Sequence, residues 1–244
     1  VATGTRDSHR VDGEPAFVLH AYPYSETSLL IDAWTSGHGR MPLLARGARR
    51  PRAALRGLLE AFQPLTIAWS GRGEVRTLQR AEWVGGLPRP AGRALWCGFY
   101  LNELLMRLVA RDDPHPALFA HYAQALSGIC TGADPEPILR RFEMRLLAEL
   151  GYGLVLEADP LTRQPLADEA RYTYDPDRGP VRVPDEMDIP GALSGALLRE
   201  IARERFEDKA VLTAAKGLMR QIIAHRLEHR PLRVTQVWRD MLDV

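Results

Sequence analysis

From Ala16 to about Val84, apolar residues recur at every second position, with turn residues between the runs, and this period predicts strands. Phe17 and Leu19 alternate with Val18 and His20. Leu29, Ile31 and Ala33 alternate with Leu30 and Asp32, and Met41, Leu43 and Ala45 with Arg40, Leu44 and Arg46. Gly37-His-Gly39 marks a hairpin, Leu65, Ile67 and Trp69 open a fourth run, and Val75 to Trp83 follow the Gly71-Arg-Gly73 turn as a fifth. Ala53 to Phe62 is rich in Ala and Leu and reads as a short helix between the third and fourth strands. Five strands with a helix at that place predict an OB-like barrel.

After Gly85-Gly86 and the Pro88-Arg-Pro90 linker the period becomes helical. Leu101, Leu104, Leu105 and Leu108 form one stripe, and Ala117 to Ile129 form a second segment. Asp134 can cap a third helix, with Pro135 in its first turn, Ile138, Phe142, Leu146 and Leu150 at four-residue spacing, and Gly151 as its stop. Residues 154–190 are rich in Pro, Asp and Gly, with short alternating runs at Tyr172, Tyr174 and Val181, Val183, and predict a hairpin-like insertion. Helices resume over Leu193 to Phe206, Val211 to Leu227 and Val234 to Leu242. The domain organisation predicted is a disordered extension over 1–13, an OB-fold domain over 14–84, a linker over 85–90 and a mostly helical domain over 91–244.

Composition supports an ordinary globular chain of 244 residues, with 45% hydrophobic and 26% charged residues. No run reaches the roughly 18 apolar residues of a membrane span, and the polar start has no signal-peptide core. Two cysteines, Cys97 and Cys130, make neither a disulfide framework nor a four-cysteine zinc site, and fit a reducing cytoplasm. The motifs of phosphate loops, zinc proteases and serine hydrolases are absent, and Glu26, Asp32 and Glu74 match no ligand set. The expectation is therefore no catalysis, no metal and no cofactor.

Charge changes the picture more than composition does. Between Trp34 and Leu59 stand Arg40, Arg46, Arg49, Arg50, Arg52 and Arg56 with no acid among them; the whole chain carries +1, so the rest sits at −5. A second stretch, Lys209 to Arg239, holds Lys209, Lys216, Arg220, Arg226, Arg230, Arg233 and Arg239 against Glu228 alone, again +6. Sorted charge of this kind makes a local field that a polyanion feels, and the arginine fork suits phosphate. The six arginines and Lys209, Lys216, Arg220 and Arg226 are the candidate nucleic-acid-binding residues. A solvated face in an arginine-preferring chain stays the alternative for both stretches. Tyr22, Tyr24 and Trp34 are candidates for stacking on bases, with a core position equally open for Tyr22 and Trp34.

Several motifs in order carry a family resemblance: Phe17-Val-Leu-His20 with Ser25-Glu-Thr-Ser-Leu29, Arg46-Gly-Ala-Arg49, Gly71-Arg-Gly-Glu-Val75, Tyr100-Leu-Asn-Glu-Leu-Leu105, and Leu139-Arg-Arg-Phe-Glu143 running to Leu150-Gly-Tyr-Gly153. In this order the chain resembles the RecO family of bacterial recombination mediators from Ala16 onward. The resemblance implies an N-terminal OB-fold followed by a helical domain, and a cytoplasmic, nucleoid-associated protein of DNA repair and recombination. It implies binding of single- and double-stranded DNA, annealing of complementary strands and, with RecR, loading of RecA onto DNA coated by single-strand binding protein. Some members hold zinc through four cysteines in the insertion; residues 157–182 here contain none, so zinc is not implied. The family also docks the acidic C-terminal tail of single-strand binding protein on its helical domain. Arg140, Arg141 and Leu147 are the candidates to receive it, an exposed helix face being the alternative for the two arginines. An OB-fold RNA-binding protein or a pure adaptor are the other functional readings.

Overall fold

The structure is a computed structural model that describes residues 10 to 242. Its contacts divide the chain into two compact units that meet at Ala133 and Asp134.

The first unit is built on strands β1 (Arg10–Tyr24), β2 (Ser28–Thr35), β3 (Gly39–Ala45), β4 (Leu65–Ser70) and β5 (Arg76–Trp83). They close into a barrel in the order β1-β2-β3-β5-β4, with every neighbouring pair antiparallel except β3 and β5. This is the OB-like barrel that the alternation predicts. Period two places Ala16, Ile31, Leu43, Leu65, Ile67 and Trp69 inside, where they form one buried cluster. The tight β2-β3 turn brings Gly39 to φ 71°, and a Cβ there would collide with the Asp113 backbone, so glycine is required.

In the barrel two sequence expectations change. Arg10–Gly13, assigned to the extension, belong to β1, while residues 1–9 of that extension lie outside the described residues. Ala53 to Phe62 is not a helix. Arg56 N–H bonds Ala53 O at 3.0 Å and Leu58 N–H bonds Leu55 O at 3.2 Å, both three-residue turns, and Gly57 takes φ 77°. A left-handed residue stops the four-residue ladder. The segment instead folds over one end of the barrel, with Ala48 and Leu59 in the core cluster and Leu55 against it.

Helices α1 (Arg93–Leu108) and α2 (Pro116–Cys130) belong to this same unit. They cover the outer side of β1 and β2, where Phe17 meets Tyr122 at 5.1 Å and Phe119 at 5.5 Å between ring centroids. Between Val18 and His20 the register of β1 shifts. The carbonyl of the bulged Leu19 accepts from Asn102 Nδ2 at 2.8 Å, and Tyr122 donates to Asn102 Oδ1 at 2.6 Å. Burial pushes the Tyr122 hydroxyl well above the ordinary range, so it remains a donor.

The second unit contains α3 (Pro135–Glu149), a three-stranded sheet of β6 (Arg171–Asp175), β7 (Gly179–Arg182) and β8 (Leu193–Ser194), then α4 (Gly195–Ala202), α5 (Lys209–Arg226) and α6 (Arg233–Leu242). Asp134 caps α3 through Glu136 N–H, and Asp208 caps α5 through Ala210 and Val211. The sheet contains the expected hairpin, with Tyr174 opposite Pro180 and Asp175 opposite Gly179. Asp175 accepts from the N–H groups of Asp177 and Arg178 at 2.9 and 3.0 Å, and these bonds hold its carboxyl below the usual range. Helix α4 is shorter than the periodicity suggests because Glu204 turns left-handed at φ 56°.

Candidate nucleic-acid interface

Strand register decides which arginines of the first basic stretch face solvent. Arg40 shares the outer row of Trp34, one strand across, and lies beside Asp32. Its guanidinium pairs with Asp32 Oδ2 at 2.9 Å and donates twice to Val109 O, at 3.1 and 3.2 Å. With its side chain 12% exposed, Arg40 ties the barrel to the end of α1 and is not offered to a ligand. The stretch without acids in sequence thus meets an acid in space.

The other five arginines are exposed: Arg46 just past β3, and Arg49, Arg50, Arg52 and Arg56 in the turns that follow. Arg49 Nη1 donates to Ser25 O at 3.4 Å and Arg56 Nη1 to Pro51 O at 3.2 Å. None of the five has a carboxylate partner among the described residues. Charge here is left for an outside anion.

Aromatic groups stand on the adjoining surface. Tyr22 lies opposite Leu30, and Leu30 opposite Leu44, so the three occupy one outward row; Tyr24 and Ser28 form the next. Arg46 follows Ala45, whose side chain is in the core, and therefore shares the outward side of Leu44. Tyr22 is 47% exposed and Tyr24 53%. Trp34 is fully buried, its ring 6.4 Å from Phe119, so it belongs to the core and not to a stacking surface. The α1-α2 layer covers the outward side of β1 and β2 at Phe17 and Trp34 and leaves it open at Tyr22 and Tyr24.

The 46–60 segment opens into a cleft of about 370 Å³. Leu29, Ala48, Leu55 and Leu59 line it with Arg49, Arg56, Gly57 and Glu60. Glu60 is paired with Arg89 at 2.7 Å. Sequence reading misses the cleft, because it takes Leu55 and Leu59 as part of a short helix.

In the second unit, Lys209, Lys216 and Arg220 are exposed on α5 at intervals of seven and four, which places them along one side of the helix over about 16 Å. Lys216 pairs with Glu136 at 3.0 Å, whereas Lys209 and Arg220 have no carboxylate partner among the described residues. Arg226 is held internally. It pairs with Asp177 at 2.9 Å, donates to Pro176 O at 2.6 Å and lies 4.0 Å over the Tyr152 ring. Arg230 pairs with Glu228 at 3.1 Å, and the side chain of Arg239 lies outside the described residues.

The three residues assigned to a partner's tail are not brought together on one surface. Arg140 is buried and bonds the fully buried Glu143 at 2.6 Å, and Leu147 is in the core. Arg141 alone is accessible, 5.4 Å over the Phe206 ring and beside Glu204 and Glu207. An arginine already ringed by two acids makes a poor rim for a third.

Among the described residues no three His, Cys, Asp or Glu side chains converge as a metal site, and no helix is long and apolar enough to cross a membrane.

Comparison with known proteins gives two family matches. Residues 13–87 match the N-terminal model of recombination protein O, and residues 89–236 match its C-terminal model. The chain is 50% identical over 236 residues to the DNA repair protein RecO of Aromatoleum aromaticum, covering 96% of this chain and 98% of that one. It is 47% identical over 240 residues to the protein of that description from Dechloromonas aromatica, and 46% over 238 residues to the one from an Azoarcus species, each with the same two coverages.

Proposed function

The chain belongs to the RecO family of DNA repair proteins, and on that basis we propose that it acts as a recombination mediator. In this reading it binds single- and double-stranded DNA in the cytoplasm, at the nucleoid, and anneals complementary strands. With RecR it helps load RecA onto DNA coated by single-strand binding protein, whose tail is a second partner. It works by binding and not by covalent chemistry.

The observation that carries the DNA-binding part is the group of five exposed arginines, Arg46, Arg49, Arg50, Arg52 and Arg56, without carboxylate partners among the described residues and close to the turn that follows Tyr24. Guanidinium groups on phosphates and rings on bases are the two contacts that hold a single strand without reading its sequence. Lys209 and Arg220 supply a smaller second zone for another strand. Annealing follows from charge. Two strands repel through their phosphates, and a protein that neutralises part of that charge while leaving most base edges free raises the rate of productive encounters.

The test is annealing of complementary oligonucleotides with and without single-strand binding protein, alongside binding at several salt concentrations. Acceleration of annealing is expected, and neutralising three to five phosphates gives a slope of log K against log salt of about −2 to −3.5 on single strands. A flat salt dependence, or no acceleration, rejects the reading.

A further inference from the structure

We propose that the cleft under the 46–60 segment receives one unstacked base of a single strand, with Arg49 and Arg56 contacting the phosphates on either side of it. The inference deepens the DNA-binding reading above and rests on it.

Four observations lead there. The floor is apolar, formed by Leu29, Ala48, Leu55 and Leu59, and an apolar surface open to water favours a flat, weakly hydrated group such as a base. At about 370 Å³ the space sits at the small end of the range for ligand sites, suited to one base with its sugar and not to a duplex. The rim is cationic. Arg49 and Arg56 stand on it, Arg50 and Arg52 lie between them in sequence, and the single acid, Glu60, is neutralised by Arg89. Finally, Arg49 joins the cleft to the tyrosine surface: its backbone N–H bonds Thr27 O at 2.8 Å and its side chain bonds Ser25 O, in the turn that follows Tyr24.

The consequence is selectivity for form. A duplex can fill the cleft only by unpairing a base, so the cleft favours single strands, whereas phosphate contacts alone barely distinguish the two. The base it holds is also withheld from pairing, so annealing must finish with its release.

The test compares oligothymidine with an abasic oligomer of equal length, and follows 2-aminopurine in a single strand under acrylamide quenching. The full chain should bind oligothymidine about tenfold more tightly than the abasic backbone, at equal salt slope. Leu55→Ser should reduce that ratio to about twofold, whereas Tyr22→Ala should leave most of it. Bound 2-aminopurine should be shielded from acrylamide. That measurement uses the unaltered protein, so it decides the matter even if Leu55→Ser does not fold. Equal binding of both oligomers removes the base from the cleft while the DNA-binding reading survives; binding of neither removes both. A preference undiminished in Leu55→Ser assigns it to the tyrosines and overturns the proposal. Absence of shielding overturns it too, and saturable binding of an acidic peptide with an apolar C-terminal residue would then give the cleft to a protein tail.

Discussion

The arginine stretch Arg40 to Arg56 and the basic stretch Lys209 to Arg239 carry the same local excess of charge, yet they differ in how much of it is unengaged. In β3 and the turns after it, five of six arginines face solvent without a carboxylate partner among the described residues, and only Arg40 is paired, with Asp32. Along α5 and beyond, Glu136, Asp177 and Glu228 take Lys216, Arg226 and Arg230, and on α5 Lys209 and Arg220 have no carboxylate partner among the described residues. A helix packed in a bundle is surrounded by elements that bring acids to it, while a turn projecting from a barrel end meets few neighbours. Net charge in a stretch of sequence therefore measures potential only after its partners in space are subtracted.

That contrast can be broken by substitution. The largest effect is expected from Arg46→Ala, Arg49→Ala and Arg50→Ala together: single-strand affinity about 30- to 100-fold weaker at low salt, and the salt slope reduced by about two, read by fluorescence anisotropy. Unchanged affinity would move the principal site elsewhere. Next come the engaged arginines. Arg40→Ala and Arg226→Ala should each cost about 2 kcal/mol in urea unfolding, since both remove part-buried charge-assisted bonds, and should leave DNA affinity within about twofold. If either instead lowered the salt slope, subtracting intramolecular partners would be the wrong way to count. Lys209→Ala with Arg220→Ala should weaken binding by about three- to tenfold and slow annealing, with thermal stability unchanged; an effect larger than that of the arginine triple would invert the ranking of the two zones. The smallest change is expected for Tyr22→Ala, less than about twofold in affinity with the salt slope intact, because stacking carries no counterion release.

Much of the fold was legible because it depends on local period. Alternation gave all five barrel strands and the β6-β7 hairpin, and the Asp134 cap and Gly151 stop bracketed α3 within a residue or two. What failed depends on distance in sequence. Ala53 to Phe62 has helical composition, but a left-handed Gly57 and the open barrel end set its shape. Arg40 looked like its five neighbours because Asp32 lies eight residues upstream and reaches it only through the β2-β3 register. On α3 the buried side is wider than the stripe Ile138, Phe142, Leu146 and Leu150: Phe142 and Leu146 are buried, but so are Leu139, Arg140, Glu143 and Leu147. That width takes Arg140 inward to Glu143, where sequence reading placed it on a rim. The five exposed arginines were found because no acid among the described residues folds back upon them.

The barrel is closed by unequal joins. Seven residue pairs link β2 to β3, but β3 meets β5 through only two, Leu43 with Arg76 and Leu44 with Thr77. A ring whose strength varies in this way has a preferred place to part, and native fluctuations concentrate there. The arginine-bearing turns leave the ring one residue beyond that seam, at the end of β3. Amide exchange at Leu43 and Leu44 is thus a built-in strain gauge: a strand gripped by the turns would be felt first as slower opening of the thinnest join in the wall.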